Sequence, residues 1–435
     1  MFLLLAVSLV VVFATVAVAD IGDVYLAKMK VTREIIMGSI VEYEVQVANK
    51  GPAIFKNPPF RLKIGEELNM FVQEGVSEKG RPAIVALQDV WSRSFVDGFA
   101  RIAINDKWTF MDKNGRLLGK YLFKSASDFH EGLATCESKQ GTVILDTKGE
   151  ILNTPAVKAW IEYSILKDNS FHSGFSEGFA LMEASTKSGS YVTVLLDRTG
   201  AVIKRLPDIN LSGKFSEGLA PVNVNCERWG YANTRGEIAI PPLFNFARVF
   251  KEGRAAVCAE GSGGRDKWGF IDSNGKYIVE PTYDYANDFS EGMAAVKSEG
   301  RWGYVDKDGN LAINAIFDET LPFSDGLAAV QRGGAWGYIN KTGEVVISYV
   351  FKDAKNFAGG LAPVAVKERY FDNWGYINKA GKFVIPPKYA WAEAFSDGVA
   401  LVRESYPREP RDRFPYKRYK YITPTGQALL WFTVR

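Results

Sequence analysis

A phrase of about 34 residues recurs along most of this 435-residue chain. In the copy that opens at Phe289 it begins Phe-Ser-Glu-Gly-Met-Ala-Ala-Val, and from Arg301 it continues Arg-Trp-Gly-Tyr-Val-Asp-Lys-Asp-Gly. A fixed period of this length is typical of repeat architectures, in which each unit buries its apolar face against its neighbours. The repeat therefore constrains the fold more strongly than length or composition does. The opening Phe recurs at Phe95, Phe129, Phe175, Phe215, Phe250, Phe289, Phe323, Phe357 and Phe395.

The second half of the phrase recurs with a Trp, in most copies followed by Gly and an aromatic residue, and later by a second glycine. Three further copies keep the position without Trp, as Thr142, Thr193 and Tyr419. The Trp stands at Trp108, Trp229, Trp268, Trp302, Trp336 and Trp374, and the later glycine at Gly115, Gly149, Gly200, Gly236, Gly275, Gly309, Gly343, Gly381 and Gly426.

This combination of spaced positions resembles the WG-repeat family, also called WG beta repeats. The resemblance covers roughly residues 80 to 430, and several positions recur together in many copies. The family is defined by its repeat and has no general activity attached to it. The resemblance therefore implies an architecture and leaves the function open.

One repeat is expected to be a meander of three short antiparallel strands plus a connector. In the copy at Phe289 the strands are Met293 to Lys297, Trp302 to Val305 and Leu311 to Ile316, separated by turns that contain glycine. The chain is thus predicted to be all-β, with about nine three-stranded meanders in tandem. An open superhelical solenoid is the preferred arrangement because the repeats are many and unevenly spaced, and a closed β-propeller is the alternative.

The sequence predicts three segments in this chain. Residues 1–19 are a signal peptide, residues 20–66 an N-terminal β segment or capping module, and residues 67–435 the repeat array with a C-terminal cap. A helix is predicted from Thr154 to Leu166 as an insertion, since Pro155 suits the first helical position and apolar residues follow on one face.

The apolar run from Phe2 to Ala19 favours export. It ends in Ala17-Val18-Ala19, which supplies the small residues that signal peptidase accepts. We therefore expect an extracytoplasmic protein that is secreted, periplasmic or on the cell surface. No Lys or Arg precedes the run, and it approaches the length that spans a bilayer, so a retained membrane anchor is the alternative.

The composition argues against most catalytic chemistry. Fifty-three basic and fifty acidic residues give a net charge of +3, too small for whole-surface attraction to nucleic acid. The two histidines, His130 and His172, lie beside turn motifs, and the three cysteines have no metal-site spacing. We expect no catalytic residues, no metal and no cofactor. The acidic residues of the repeat share one turn position: Glu131, Glu177, Glu217, Glu252, Glu291, Asp325 and Asp397.

One segment departs from the repeat with distinctive chemistry. Between Arg403 and Lys420, cations and aromatic rings alternate in a way that suits stacking and anion contact with a partner. The alternative is a solvated loop whose charges keep the last strand from pairing edge to edge. The candidate ligand-binding residues are Tyr406, Arg411, Arg413, Phe414, Tyr416, Lys417 and Arg418.

The favoured function is an exported, non-catalytic repeat protein that offers a binding or scaffold surface to a protein partner. A cell-wall or glycan-binding module is the alternative, and an extracytoplasmic hydrolase is the third hypothesis. Nucleic acid is not an expected partner, and a membrane is one only if the N-terminal segment is retained. Exposed tryptophans would favour a glycan, a smooth apolar or mixed patch would favour a protein, and two unlike carboxylates in one cleft would favour an enzyme.

We predict that the mature protein begins at Asp20, because cleavage after Ala19 follows the small residues that signal peptidase requires. N-terminal sequencing of the native protein measures this directly. Met1 on a membrane-bound chain would instead identify the segment as an anchor.

Overall fold

A computed structural model describes the backbone of strands between residues 26 and 87. With short gaps it also describes residues 90–152, 175–404 and 417–434. The signal peptide expected at residues 1–19 and the helix expected from Thr154 to Leu166 lie outside the described residues. The predicted boundary between residues 66 and 67 stays a prediction.

The chain forms two compact units, one of which comprises residues up to Gln88 together with residues 430–433. In this unit β1, β2 and β3 form one antiparallel sheet, and β4 pairs with β5. These strands are β1 (Leu26–Met37), β2 (Ile40–Asn49), β3 (Phe60–Lys63), β4 (Met70–Val72) and β5 (Val85–Leu87).

The second unit starts at Asp89 and contains the repeats. Its strands are β6 (Val90–Val96), β7 (Phe99–Ile104), β8 (Lys107–Asp112), β9 (Ser125–Ala126), β10 (Leu133–Ser138), β11 (Gly141–Asp146), β12 (Phe179–Ser185), β13 (Tyr191–Asp197), β14 (Val202–Leu206), β15 (Ile209–Ser212), β16 (Leu219–Val224), β17 (Arg228–Asn233), β18 (Ile238–Phe244), β19 (Phe246–Ala247), β20 (Ala255–Glu260), β21 (Asp266–Ile271), β22 (Tyr277–Tyr283), β23 (Tyr285–Ser290), β24 (Met293–Ser298), β25 (Arg301–Asp306) and β26 (Leu311–Phe317). It continues with β27 (Glu319–Thr320), β28 (Ala328–Arg332), β29 (Ala335–Ile339), β30 (Val345–Phe351), β31 (Asp353–Ala354), β32 (Leu361–Lys367), β33 (Asp372–Asn378), β34 (Phe383–Ala392), β35 (Ala400–Glu404) and β36 (Lys417–Ile422). The last strand, β37 (Ala428–Val434), has residues in both units.

Each repeat is a small antiparallel sheet, which confirms the predicted tandem all-β array. In the repeat at Phe289 the sheet order is β23-β24-β25-β26, and the last three strands match the predicted ones to within a residue or two. The predicted connector is itself the first strand, β23, which pairs with β24. Four repeats therefore have a fourth strand, and three others form the predicted three-stranded sheets.

The acidic turn between the first two strands is a tight hairpin with two residues in the left-handed region. In the repeat at Phe323, Asp325 has φ 54° and Gly326 has φ 86°. The Ser324 N–H donates to the Leu327 carbonyl at 2.9 Å, and the Leu327 N–H donates back at 3.2 Å. Positive φ at both central residues is the type I′ geometry that matches strand twist, which explains the glycine in every copy.

The glycine after each Trp makes room for a neighbouring backbone. The pairing of β25 with β26 jumps between Trp302 and Tyr304, because β26 bulges opposite Gly303. A Cβ at Gly303 would lie 2.5 Å from the Ile313 carbonyl oxygen. From the sequence, a glycine after the Trp lets either the indole or a neighbouring backbone approach closely. The structure places the backbone of β26 against Gly303.

The deepest side chain of the repeat is the aromatic residue two positions after the Trp. Tyr231, Tyr304, Tyr338 and Tyr376 have no exposed surface. Trp302 and Trp374 are buried as well, whereas Trp229 and Trp268 are half-buried. The Trp at a constant position in six copies predicts a core stripe of tryptophans. A core stripe exists, but it is centred on the tyrosines, and the tryptophans border it.

The same kinds of contact recur at most junctions between consecutive repeats. The buried Tyr304 stacks edge-on against Phe323 of the next repeat, at a centroid distance of 4.9 Å, and its hydroxyl donates to the Leu321 carbonyl at 2.7 Å. The Ser290 hydroxyl donates to the Phe323 carbonyl at 2.8 Å. Equivalent tyrosine bonds run from Tyr231 to Arg248, Tyr338 to Lys355 and Tyr376 to Glu393, and equivalent serine bonds run from Ser176 to Phe215, Ser216 to Phe250 and Ser324 to Phe357.

The last repeat contacts the first through these same bonds. The Tyr421 hydroxyl donates to the Arg93 carbonyl at 2.6 Å, and its ring lies 4.8 Å from that of Phe95. The Ser396 hydroxyl donates to the Phe95 carbonyl at 2.6 Å. These bonds join the last repeat to the first in the way that neighbouring repeats are joined, and this cyclic pattern is the one that the closed alternative predicts. Uneven spacing does not oppose closure, because the inter-repeat contacts have the same geometry whatever the interval length.

We predict that Gly303→Ala destabilises the protein by about 1 to 3 kcal/mol, the usual cost of overpacking, because the new methyl overlaps backbone. Gly263→Ala is the matched control, since a Cβ there meets nothing within 4 Å. Urea unfolding of both variants measures the difference. Equal stability of the two would refute the bulge explanation.

We also predict that the seam between last and first repeats contributes as much stability as an internal one. Ser396→Ala combined with Tyr421→Phe, and Ser324→Ala combined with Tyr338→Phe, each remove two inter-repeat hydrogen bonds, at a cost of about 1 to 3 kcal/mol. Thermal and urea unfolding compare the two double variants. No loss at the terminal seam, beside a clear loss at the internal one, would show that the array is open in solution.

Candidate functional site

The predicted basic aromatic segment is described only at its two ends. Residues 405–416, which include Tyr406, Arg411, Arg413, Phe414 and Tyr416, lie outside the described residues, and Lys417 and Arg418 are described by backbone alone, at the start of β36. Arg403 pairs in register with Tyr419, and Lys420 forms an ion pair with Glu404. The two ends therefore leave and re-enter adjacent antiparallel strands. Ligand binding by the segment stays a prediction.

The acidic residues of the turn motif join neighbouring repeats. Each one turns its carboxylate to the backbone N–H groups of the equivalent turn in the next repeat, so that Glu177 accepts from Glu217 at 2.5 Å and from Gly218 at 2.8 Å. The other bonds are Asp97 to Gly132, Glu131 to Glu177 and Gly178, Glu217 to Gly253, Glu252 to Gly292, Glu291 to Gly326, Asp325 to Gly360, and Asp397 to Gly98 across the seam.

Two of the turn acids also form an ion pair with a lysine of the repeat that follows them. Lys307 Nζ lies 3.1 Å from a Glu252 carboxylate oxygen, and Lys341 Nζ lies 3.4 Å from that of Glu291. Burial would raise the pKa of Glu252, but hydrogen bonds from Lys307 and from the Gly292 N–H outweigh it and lower the pKa below its ordinary value. The turn carboxylates are therefore structural acceptors, and their equivalent surroundings do not offer the unlike pair of an acid and a base.

The described histidine is held in a polar pair. His130 Nε2 lies 2.7 Å from Lys214 Nζ, and burial together with the charge of Lys214 lowers the pKa of the imidazole. A neutral imidazole accepts a hydrogen bond from the ammonium in this arrangement. His172 lies outside the described residues. Cys136, Cys226 and Cys258 are free thiols, and the described residues contain no group of side chains arranged to hold a metal ion.

The last strand of each repeat carries exposed apolar side chains. In the sheets of the repeats at Phe215, Phe250, Phe289 and Phe323, the strands β18, β22, β26 and β30 are edge strands. Three of them share an exposed apolar residue just before their final buried aromatic residue. It is Leu243 in β18, Ile316 in β26 and Val350 in β30, and it is 66%, 43% and 66% exposed.

Two of these edge strands lack the usual protection against pairing with another chain. β18 contains Pro241 and Pro242, and β22 contains Pro281, and each proline removes a backbone donor from its strand. β26 reads Leu-Ala-Ile-Asn-Ala-Ile-Phe and β30 reads Val-Val-Ile-Ser-Tyr-Val-Phe, with neither proline nor charge. Apolar, uncharged edges of this kind are templates for an additional strand.

This surface was not predicted from the sequence, although a signal was present. β30 is an almost entirely apolar run, but a sequence does not state which strand of a meander lies at the sheet edge. The comparison of equivalent strands for proline and charge would have separated β26 and β30 from their neighbours.

The geometry of the repeat agrees with a family model. The model for the WG containing repeat matches residues 108–135, 229–261, 268–302, 302–334, 336–370 and 374–405. The chain is a WG-repeat protein. The copies in which Thr replaces the Trp keep the repeat fold, because Thr193 is paired in register with Leu206 and its hydroxyl donates to the Ile209 carbonyl at 2.7 Å.

Two solved structures show distant similarity to this WG-repeat chain. The tricorn protease is 13% identical with a TM-score of 0.25, and the match covers 78% of this chain but only 39% of the protease. TolB from Acinetobacter baumannii is 12% identical with a TM-score of 0.27, over 67% of this chain and 77% of TolB. No curated protein matches the sequence. Within the described residues no helix is long and apolar enough to cross a membrane.

Proposed function

We propose that this WG-repeat protein is an exported, non-catalytic scaffold that binds a protein partner through the edge strands β26 and β30. The observation that carries the proposal is the run of exposed apolar residues on two neighbouring edge strands without proline or charge. The partner contributes an extended segment that adds to the sheet, since main-chain hydrogen bonds supply affinity and alternate side chains supply specificity.

The neighbouring strands support the choice of these two edges. β18 and β22 have the same place in their sheets, yet their prolines interrupt the row of backbone donors that a partner strand would need. Val345 and Val346 at the start of β30 are about as exposed as Ile316, so the apolar surface extends along the whole strand. Charged side chains on these edge strands would have protected them from pairing with other chains, and β26 and β30 have none.

The absence of catalysis is part of the proposal and rests on how the acidic residues are used. In the described repeats the turn carboxylates accept hydrogen bonds from the next repeat, in equivalent surroundings. Export rests on the apolar segment from Phe2 to Ala19 and its terminal small residues.

We expect Val350→Lys to weaken partner capture at least tenfold, because a lysine on the edge strand discourages pairing with another strand. Leu243→Lys is the matched control, since Leu243 is equally exposed on a proline-containing edge. Wild type and both variants are cross-linked in an envelope fraction, and proteins enriched by wild type and Leu243→Lys are identified. Each is then purified and its Kd measured against all three chains.

Three outcomes would contradict the proposal. One is equal capture by Val350→Lys and wild type, and another is the failure of wild type to enrich any protein. The third is a wild-type dimer, seen by sedimentation velocity, that Val350→Lys dissociates, because the occupant of the edge would then be a second copy of the chain.

A further inference from the structure

A row of equivalent positions lies at the opposite edge of the repeat sheets, where the first strand begins. Each member has its Cα partner at the equivalent position of the second strand, as Phe246 has Cys258 and Tyr285 has Lys297. The row continues through Glu319, Asp353 and Trp391, which pair with Gln331, Ala365 and Arg403.

The fold does not require an aromatic residue in this row. Glu319 and Asp353 occupy it in two repeats and are exposed there, as are Phe246 and Tyr285. Phe246 is 41% exposed and Tyr285 is 38% exposed. Packing does not explain why two large rings are partly exposed at positions that acidic residues occupy in other repeats. Exposed aromatic clusters commonly mark binding surfaces.

The two exposed rings complete a continuous aromatic ladder with the tryptophans of three repeats. Phe246 lies between Trp229 and Trp268, at centroid distances of 5.1 and 5.8 Å. Tyr285 lies between Trp268 and Trp302, at 5.2 and 5.8 Å. Each exposed ring is thus supported on both sides, which fixes its orientation before a ligand arrives.

A guanidinium fixes the centre of the ladder. The Arg248 guanidinium carbon lies 5.3 Å from the ring centroids of both Trp268 and Tyr285, and Arg248 donates to the Tyr285 hydroxyl at 2.6 Å. Its charge is balanced by Asp288, whose carboxylate oxygen lies 3.8 Å from the guanidinium. The guanidinium therefore holds the Tyr285 ring in place, and the Arg248–Asp288 pair leaves little net charge for a ligand.

Polar residues precede both exposed rings in the chain, and each belongs to a group that contains one cation and one anion. Asn245 precedes Phe246; its amide oxygen accepts from Arg228, and its amide nitrogen donates to Asp266 at 2.5 Å. Asp284 precedes Tyr285 and lies 2.5 Å from Lys267 Nζ. Amides and carboxylates beside aromatic faces offer hydrogen bonds to hydroxyl groups. Because the charges are internally neutralised, the surface does not complement a strongly charged chain.

We propose that this ladder, Trp229, Phe246, Trp268, Tyr285 and Trp302, is a binding site for an uncharged oligosaccharide. The partly positive C–H groups of a pyranose face stack on the electron-rich faces of Phe246 and Tyr285. The sugar hydroxyls bond to the Asn245–Asp266 and Asp284–Lys267 pairs. None of these residues belongs to β26 or β30, although Trp302 pairs with Phe317 of β26, and the substitutions that test the site leave both edge strands unchanged.

The probes are cellohexaose, chitohexaose and xylohexaose, titrated into the full chain by calorimetry and followed by tryptophan fluorescence. We expect wild type to bind at least one of them, with an affinity that is unchanged by added salt. The test variant carries Phe246→Glu and Tyr285→Asp, which copy the acids that the fold already holds in this row at Glu319 and Asp353. We expect it to lose affinity at least tenfold while its thermal unfolding stays like that of wild type.

Leu243→Ser is the control, because Leu243 is exposed and apolar but lies outside the row, and it should bind as wild type does. If wild type binds none of the three hexasaccharides, or if the double variant binds as tightly as wild type, the proposal is overturned. Tighter binding of poly-L-lysine than of every hexasaccharide, released by salt, would overturn it in favour of a basic peptide.

Discussion

The contact between one repeat's buried tyrosine and the next repeat's phenylalanine is the interaction on which the rest of this molecule depends. Tyr304 packs edge-on against Phe323 at 4.9 Å and at the same time bonds the backbone two residues before it. Burial of one such ring is worth about 4 to 6 kcal/mol as an upper estimate, and the edge-on pair adds about 0.5 to 1.5 kcal/mol. Both rings belong to one core cluster that is built from residues of the two repeats, so each repeat buries its apolar face against its neighbour.

This dependence explains why the ends of the array meet. A terminal repeat without a neighbour would expose the same apolar face that every other repeat covers. The contact of Tyr421 with Phe95 removes that exposure with the geometry of an internal junction, and Asp397 adds the hydrogen bond to Gly98 that the other turn acids make. Closure thus follows from the repeat contact itself and needs no special terminal device.

The same regularity separates structural residues from candidate functional ones. Positions that serve junctions hold the same chemistry in most repeats, as the turn acids do, with Gly359 as an exception. Positions that face solvent at the two sheet edges differ from repeat to repeat. Phe246 and Tyr285 stand where Glu319 and Asp353 stand elsewhere, and the charge-free β30 stands where β18 carries two prolines. Variation at a position the fold leaves free is where binding is expected to reside.

Much of the repeat was determined by the sequence alone. The strands from Met293 to Ile316 were predicted to within a residue or two, because turn glycines and alternating apolar residues are local signals. The sequence also predicted that Gly303 lets a neighbouring group approach closely, because the glycine has a fixed place after the Trp. The fourth strand, the inter-repeat use of Glu177 and the central place of Tyr304 were not predicted, since each depends on a partner in another strand or the next repeat. Closure and the two exposed edges were decided only by tertiary structure. The same local pattern fits an open or a closed array. The two arrays are distinguished only by contacts between residues about 300 positions apart, such as Ser396 and Phe95.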